Sequence, residues 1–276
     1  MQISKVFAPA KVNLTLHVTG QRADGYHLLD SLVVFADVGD RITVMPAETS
    51  SLEVIGPRAD GIPSDGSNLV MKAAALFDQP VKIILSKHLP AAAGIGGGSS
   101  DAAATVLAMA DLLGDAHLPE GVHDLGADVR VCLMRQAARM RGIGEDVTPW
   151  PGLPELYAVL VNPGVEVPTP AVFAALETKA NPAMPKRIPQ AMKLPAFIKW
   201  IAAQRNDLET PAIAAAPVIA EVIAALDSLP GVRFARMSGS GATCFGLCAT
   251  QEDASVSAAR LAEAHPDWWV TPARLS

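Results

Sequence analysis

The most informative segment of the sequence is Leu89-Pro-Ala-Ala-Ala-Gly-Ile-Gly-Gly-Gly-Ser-Ser-Asp-Ala-Ala-Ala104. Four glycines precede an alanine-rich segment, residues 99–113, that begins with two serines and contains no helix-breaking residue. Glycine lets backbone N–H groups approach an anion closely, and a helix N-terminus adds oriented donors and about half a positive charge. The stretch therefore predicts a glycine-rich loop and a helix that together bind phosphate, after a strand at residues 81–86.

The glycine-rich loop has three alternative interpretations. A Walker loop needs a lysine after the glycines, and none follows here, which excludes a P-loop NTPase. A dinucleotide fingerprint needs a third glycine where Ser99 stands and a shorter approach from the strand than residues 87–93 provide, so it is the weaker match. The alternative without a ligand is a flexible turn capped by Ser99 or Ser100.

Composition limits the class of protein. The chain has 276 residues, about two domains' worth, and 50% of them are hydrophobic against 18% charged, which excludes a disordered chain. The formal charge is −6 and Lys and Arg form no run, so we expect no nucleic-acid partner.

Membrane and redox features point to a cytoplasmic protein. The most apolar stretch, 213–226, is interrupted by Pro217 and Glu221, and the N-terminal residues show no signal peptide, so we expect no membrane partner. The three cysteines form no Cys-x-x-Cys pair, which favours buried structural thiols in a reducing compartment.

The order of predicted elements indicates an α+β protein. Alternating polarity over residues 12–18 predicts a strand with one buried face, and it places Lys11 with Asn13 on the polar face. Further strands are predicted at 31–36, 41–45, 52–55, 81–86, 157–161, 232–237, 243–248 and near 269, and helices at 68–77, 99–113, within 170–229 and at 252–265. The Pro/Gly cluster at 149–154 suits no element interior and predicts a boundary between domains 1–150 and 151–276.

The segment 90–100 resembles the second motif of the GHMP kinase superfamily. Other family signatures are similar to segments that follow in family order across nearly the whole chain: 8–14, 22–27, 68–69, 125–129, 142–145, 163–165 with Thr169 and Phe173, 206–208 and 238–241. The resemblance implies a two-domain α+β GHMP kinase fold. Its N-terminal domain would be ribosomal protein S5 domain 2-like and bind ATP, and its C-terminal domain would be ferredoxin-like and complete the substrate cleft.

The resemblance also implies a reaction. We expect ATP-dependent phosphorylation of a 2-hydroxyl on a small cytidine diphosphate derivative, a step of non-mevalonate isoprenoid synthesis, with ATP and Mg²⁺ as cofactors. The protein ligands of Mg²⁺ are left unassigned, and a weak homodimer is kept as an option. Two alternatives stay open: a GHMP kinase of the homoserine or mevalonate type, and a catalytically silent nucleotide-binding member.

Residue roles follow from the same resemblance. Asp128 is the expected proton acceptor and Lys11 its partner at the acceptor hydroxyl; from the residues alone, Lys11 could be a solvated strand lysine and Asp128 a helix N-cap. The expected ATP-binding residues are Asn68, Pro90, Gly94, Gly96, Gly97, Gly98, Ser99 and Ser100. The expected substrate-binding residues are Asn13, Tyr26, His27, Thr169, Phe173, Gly239, Ser240 and Gly241, with the aromatic side chains stacking on a flat base.

The chain departs from the family pattern beside Asp128. Arg130 stands where the family has proline, the stretch from 114 to 128 is short, and residues 134–136 lack a glycine. We therefore expect a local difference in backbone near Asp128, and reduced activity is one consequence to test.

Overall fold

The computed structural model describes residues 2–115 and 117–276. Strands and helices are mixed along the chain, as expected for an α+β fold. In chain order they are β1 (Ser4–Asn13), β2 (His17–Gln21), β3 (His27–Pro46), β4 (Ser51–Ile55), α1 (Leu69–Ala74), β5 (Val81–Ser86), α2 (Gly97–Leu113), a 3-10 turn (Val122–Leu125), α3 (Val129–Met134), β6 (Ala138–Gly142), β7 (Asp146–Pro149), β8 (Leu156–Asn162), α4 (Thr169–Ala174), α5 (Leu194–Ala202), α6 (Glu209–Ala215), α7 (Val218–Asp227), β9 (Val232–Met237), β10 (Cys244–Cys248), α8 (Gln251–Ala264) and β11 (Trp269–Leu275).

The chain forms two compact units that are interleaved in sequence. Unit 1 contains Met1–Lys11, Val38–Ala91 and Gly96–Arg135, and unit 2 contains Val12–Asp37, Ala92–Ile95 and Gln136–Ser276. Strand β3 begins in unit 2 and ends in unit 1. The linear boundary expected after residue 150 stays a prediction.

Unit 1 is built on a small sheet covered by helices. Strand β4 pairs in parallel with β5, with α1 between them in the chain, and β5 pairs antiparallel with the second half of β3. Alternate residues of β5 are buried, as its period-two pattern predicts. Val44, Ile83, Val70 and Met109 belong to the hydrophobic core that these strands form with α1 and α2.

Unit 2 is built on a longer antiparallel sheet. Its strands follow the order β11-β8-β10-β9, and β2 and β6 pair with the first half of β3. Strands β8 and β10 are buried over almost their whole length, so they are apolar on both faces. Val159, Ile219, Leu226 and Leu261 are part of the core between this sheet and helices α7 and α8.

The strand expected at residues 12–18 is wrong in two respects. It is interrupted, since β1 ends at Asn13 and β2 begins at His17, and its polar residues are buried rather than solvated. Lys11, Asn13, Thr15 and His17 are all 3% exposed or less. Each finds a polar partner, as Thr15 does by accepting the Leu32 N–H at 2.9 Å, so the alternation does not mark an exposed face.

Two further expectations are corrected in the strands. The segments 31–36 and 41–45 belong to one strand, β3, because Gly39 lets the chain pass close to β1: a Cβ on Gly39 would overlap the Ala8 carbonyl oxygen. The hairpin β6–β7 and helix α3 were not predicted, and Pro149, part of the cluster expected to mark a domain boundary, ends β7 opposite Ala138. Within the described ranges no helix combines the length and apolarity that a bilayer crossing needs.

Candidate active site

The N-terminus of α2 is free to bind an anion. The helix starts after Gly96, whose φ of 62° is left-handed, and no side chain in the described part of the chain caps it. The Ser100 N–H bonds back to the Gly96 carbonyl at 2.8 Å, so the N–H groups of Gly97, Gly98 and Ser99 lie in the first turn without an intrahelical acceptor. The alternative of a turn capped by Ser99 or Ser100 is therefore wrong, and the Ser100 hydroxyl instead donates to Pro9 O at 2.7 Å.

Lys11 and Asp128 form an ion pair beside this helix start. Lys11 Nζ lies 2.8 Å from Asp128 Oδ2, with side-chain exposures of 4% and 32%. A Cβ on Gly96 would lie 3.1 Å from Lys11 Cε, so the glycine backbone packs directly on the lysine stem. Lys11 is thus a buried cation held between the helix start and a reachable carboxylate, not a solvated strand lysine.

Asp128 is not used as a helix cap. It occupies the N-cap position of α3, yet its side chain makes no capping hydrogen bond in the described structure. A Cβ on Gly126 would come within 3.9 Å of Ser99 Oγ, which brings the segment before Asp128 next to the first turn of α2. Arg130 is accommodated inside α3 without separating Asp128 from Lys11.

Asn68 and Pro90 are the remaining predicted ATP-binding residues of unit 1. Asn68 caps α1, because its Oδ1 accepts the Val70 N–H at 2.9 Å and its Nδ2 donates to Pro63 O at 2.7 Å. The next residue, Leu69, lies 3.7 Å from the Cβ position of Gly98. Pro90 is buried. Their contacts with ATP stay predictions.

In unit 2, the predicted residues Gly239, Ser240 and Gly241 form a tight turn. The Gly241 N–H bonds to Ser238 O at 3.0 Å, and the side chain of Asn206 donates to Gly239 O at 2.9 Å. The hydroxyls of Thr169 and Ser240 are 2.7 Å apart. Thr169 therefore lies next to this turn, and its contact with a substrate stays a prediction.

Gly94 contacts the same turn. Its φ is 71°, and a Cβ there would lie 2.6 Å from Ser238 O and 2.7 Å from Gly241 O, so only glycine fits. The Ser238 hydroxyl donates to Gly94 O at 3.1 Å and accepts the Asn13 N–H at 3.0 Å. Asn13, also predicted, is thereby fixed next to the turn.

Asn13 presents an open acceptor. Its Nδ2 donates to Ser31 Oγ at 2.8 Å, whereas its Oδ1 is buried and has no hydrogen-bond partner among the described residues. Buried polar atoms are almost always paired. This oxygen is therefore placed to accept a hydrogen bond from a ligand.

His27 and Phe173 form an aromatic pair with one polar edge, and Tyr26 directly precedes His27 in the chain. The His27 and Phe173 rings stack with centroids 4.7 Å apart and planes 22° apart, and Tyr26 is 61% exposed. Burial, together with the Lys179 charge, lowers the pKa of His27, so the ring is neutral at neutral pH. Its buried Nε2 has no partner in the described part of the chain. Aromatic faces next to an unused ring nitrogen suit a flat heterocyclic base.

One charged cluster of unit 1 was missed from the sequence. Lys87 lies between the carboxylates of Asp40 and Asp101, all three buried. Asp40 is 47 residues away from Lys87 in the chain, and no local pattern connects the two. The nearest signal in the sequence was the position of these two residues on either side of the glycines, with Lys87 before Gly94 and Asp101 after Gly98.

Comparison with known proteins identifies the class. The family models for the N-terminal and the C-terminal domain of GHMP kinases match residues 68–140 and 190–267. The chain is therefore a GHMP kinase, and the α+β fold expected from its motifs is confirmed.

Relatives that match over nearly their whole length identify the family within the GHMP kinases. A 4-diphosphocytidyl-2-C-methyl-D-erythritol kinase from Dinoroseobacter shibae is 59% identical over 267 residues, which cover 96% of this chain and 93% of that protein. One from Cereibacter sphaeroides is 56% identical over 278 residues, covering 99% and 100%. A crystal structure of 4-(cytidine 5'-diphospho)-2C-methyl-D-erythritol kinase superposes with a TM-score of 0.80 at 35% identity, covering 99% of each chain. The chain belongs to the 4-diphosphocytidyl-2-C-methyl-D-erythritol kinase family.

Proposed function

We propose that this kinase transfers the γ-phosphoryl group of ATP to the 2-hydroxyl of 4-diphosphocytidyl-2-C-methyl-D-erythritol, a step of non-mevalonate isoprenoid synthesis. The observation that carries the proposal is the Lys11–Asp128 pair at 2.8 Å beside the uncapped start of α2. A proton acceptor and a set of anion-binding donors are the two groups that such a transfer needs.

In this reaction Asp128 takes the proton of the acceptor hydroxyl. Its carboxylate is the more exposed member of the pair, so a hydroxyl can reach it, while Lys11 fixes its orientation through Oδ2. The Lys11 ammonium also stabilises negative charge that develops on the attacking oxygen. No covalent enzyme intermediate is required, because positioning and charge stabilisation account for most of the catalysis of phosphoryl transfer.

The first turn of α2 binds the phosphates of ATP. Its N–H groups at Gly97, Gly98 and Ser99 supply donors, and the helix dipole adds positive charge. Mg²⁺, when bound, neutralises charge on the β and γ phosphates. It usually keeps several waters and takes few protein ligands.

Unit 2 supplies groups that fit the cytidine end of the substrate. The aromatic faces of Tyr26 and Phe173 offer stacking surfaces, and the free ring nitrogen of His27 and the free Oδ1 of Asn13 offer two hydrogen-bonding atoms. A cytosine ring needs this combination of a flat apolar contact and edge recognition. A kinase for homoserine or mevalonate would have no use for the aromatic group.

A coupled assay of ADP release tests the proposal. We expect turnover with the cytidyl substrate and none with homoserine or mevalonate. ADP release that prefers either of those alcohols would make the chain a GHMP kinase of another specificity. ATP binding without turnover on any of the three alcohols would make it a silent member, as the replacement of proline by Arg130 allows.

We further propose a cytoplasmic location and at most a weak homodimer. Three buried free thiols, at Cys132, Cys244 and Cys248, support a reducing compartment. Sedimentation across a concentration series tests the oligomeric state, and a tight dimer would contradict it.

A further inference from the structure

A buried cluster of three charges lies under the phosphate-binding loop. The Lys87 ammonium donates to a carboxylate oxygen of Asp40 and, at 2.9 Å, to Oδ2 of Asp101. All three residues are 4% exposed or less. None of them has a part in the proton transfer described above, so the cluster needs another explanation.

The cluster joins the two ends of the loop. Lys87 directly follows the last residue of β5, and Asp101 lies in the second turn of α2, so the residues between them are the loop, 88–96, and the first turn of the helix, 97–100. Asp40 fixes the first end, because its Oδ1 accepts the N–H groups of His88 at 2.6 Å and Leu89 at 2.9 Å. The Lys87–Asp101 ion pair thus closes the loop at its base.

The ammonium also lies against the first residue of the helix. A Cβ on Gly97 would be 3.3 Å from Lys87 Nζ. Gly97 carries one of the free N–H donors of the first turn. A shift of Lys87 is therefore transmitted directly to the groups that bind phosphate.

The charges of the cluster do not balance unless one carboxyl group holds a proton. Two carboxylates face one ammonium, and Asp101 Oδ1 is buried without a partner in the described structure. Burial is the largest cause that raises the pKa of Asp101, to about 7; the Lys87 charge opposes it and the Asp40 charge adds to it. Burial alone would lower the pKa of Lys87, but the two carboxylates outweigh it and raise that pKa, so the ammonium keeps its charge.

Among the described residues, Lys87 and Asp40 are the charged groups with the largest effect on the Asp101 carboxyl group. From α3, the Cys132 thiol lies close enough for Asp101 to contribute to its raised pKa, which keeps the thiol neutral. The Asp40 carboxylate accepts from Lys87 and from the N–H groups of His88 and Leu89, whereas the Asp101 carboxyl group accepts from Lys87 alone in the part of the chain that the structure describes, so the neutralising proton is assigned to Asp101.

We propose that the Lys87–Asp101 pair positions the phosphate-binding loop and that proton loss from Asp101 weakens the binding of ATP. The inference rests on the proposed binding of ATP at the first turn of α2. With Asp101 protonated the cluster is neutral. Once Asp101 is ionised, an uncompensated negative charge lies one helical turn from the triphosphate, where the protein interior screens it poorly. Binding of ATP and retention of this proton favour each other.

Asp101→Asn tests the proposal. Asparagine keeps the shape and can accept from Lys87 but cannot ionise, and Asp111→Asn makes the same change on the exposed side of the same helix. Binding of a non-hydrolysable ATP analogue with Mg²⁺ is measured by calorimetry from about pH 6 to about pH 8. The protonation of the analogue itself also changes with pH, but it does so equally for all three proteins, so its effect on affinity cancels when they are compared.

We expect the affinity of the wild type and of Asp111→Asn to fall several-fold as the pH rises, with about tenfold per pH unit as the ceiling for one linked proton. The affinity of Asp101→Asn should change much less. A wild type that binds no analogue at any pH would overturn the proposed function. A wild type that binds, with Asp101→Asn following the same pH profile, would overturn this inference alone.

The positioning role of Lys87 has its own test. Lys87→Met should raise the KM for ATP far more than that for the alcohol, and Lys87→Arg should restore much of the loss because it keeps the charge. If Lys87→Met does not fold, Lys87→Arg against wild type still gives the KM comparison. Equal increases of both KM values in the soluble variants would contradict positioning by Lys87.

Discussion

The buried Lys11 ammonium donates to Asp128 Oδ2 at 2.8 Å, while about a third of the Asp128 side chain remains exposed. The cation is fixed by packing against Gly96, and the carboxylate keeps one side open to a ligand. This asymmetry suits a proton acceptor, because its partner holds it in place without covering it.

Asp128→Asn should nearly abolish turnover and leave ATP binding intact. The change removes the proton acceptor and keeps the first turn of α2, and losses of general-base catalysis are typically on the order of 10²- to 10⁴-fold. The rate of ADP release and calorimetry with an ATP analogue measure the two effects. Asp124→Asn, a change at an exposed carboxylate in the preceding 3-10 turn, is the control. Turnover near the wild-type rate in Asp128→Asn would remove Asp128 from the mechanism.

Gly97→Val should weaken ATP binding about tenfold and cost little stability. The backbone of Gly97 is helical, which valine can adopt, and the new Cβ would lie 3.3 Å from the Lys87 ammonium, which the Asp40 and Asp101 carboxylates hold in place; the helix start therefore shifts by a few tenths of an ångström while the fold survives. Calorimetry and thermal melting separate the two effects. Gly98→Ala is the control, because its Cβ makes an ordinary 3.7 Å contact. Unchanged affinity in Gly97→Val would leave the loop without a phosphate-binding role.

Gly94→Val, unlike Gly97→Val, should strongly lower the stability of the protein. Its φ of 71° and the carbonyl oxygens 2.6 and 2.7 Å from a Cβ leave no flexible neighbour to move. The protein should therefore melt at a much lower temperature than Gly97→Val or fail to fold. A Gly94→Val protein as stable as the wild type would contradict the contact with the Ser238–Gly241 turn.

Tyr26→Ala and Phe173→Ala should each raise the KM for the cytidyl substrate and leave the KM for ATP nearly unchanged. Loss of a stacking face costs about 1–3 kcal/mol per base, which is roughly tenfold to more than a hundredfold in affinity. Phe173→Ala also removes the ring on which His27 stacks. Tyr26→Phe keeps the aromatic face and should keep the wild-type KM. Wild-type KM values in both alanine variants would show that the base binds elsewhere.

Stability should fall at acidic pH through His17. Its Nδ1–H donates to Pro182 O at 3.1 Å and its Nε2 accepts the Arg205 N–H at 3.2 Å, so the neutral ring uses both nitrogens. Burial, the largest cause, lowers the pKa of His17 below its ordinary value of 6.5. The unfolded chain therefore binds a proton first as the pH falls below 6.5, and the contribution of His17 to stability, complete above that pH, is lost.

Urea unfolding at a series of pH values measures the slope of the free energy of unfolding against pH. His17→Gln should be less stable at neutral pH and should lose less free energy of unfolding than the wild type as the solution is acidified. His123→Gln, at an exposed position, should keep the wild-type slope. An unchanged slope in His17→Gln would assign the acid sensitivity to other groups.

Local patterns predicted the elements that are stabilised locally. The bounds expected for β5 and β9 agree with the structure, and α2 begins two residues before the expected position because glycines at a helix start give no sign of where it begins. The prediction of one strand over residues 12–18 was wrong for a different reason. Its polar residues pair with partners such as Ser31 and the Leu32 N–H, which only the folded chain brings near.

The same contrast between local patterns and contacts of distant residues applies to the candidate site. The glycine-rich loop and the helix that follows it could be predicted because the glycines and the helix start are adjacent in sequence. The roles of Lys11 and Asp128 required the family resemblance, since 117 residues separate them. The Lys87 cluster had neither kind of signal, because buried ion pairs between distant segments leave no periodic pattern.

The interleaving of the two units has a consequence for synthesis on the ribosome. A nascent chain that has reached Arg135 holds all of unit 1, whereas unit 2 still lacks everything beyond Ile95. The first half of β3, including Leu32 and Val34, which are fully buried in the finished protein, must then wait for partners such as β6 and β11. An apolar strand left unpaired during translation is a template for aggregation. Pausing in the second half of the message should therefore lower the soluble yield, and a chaperone that shields nascent strands should restore it.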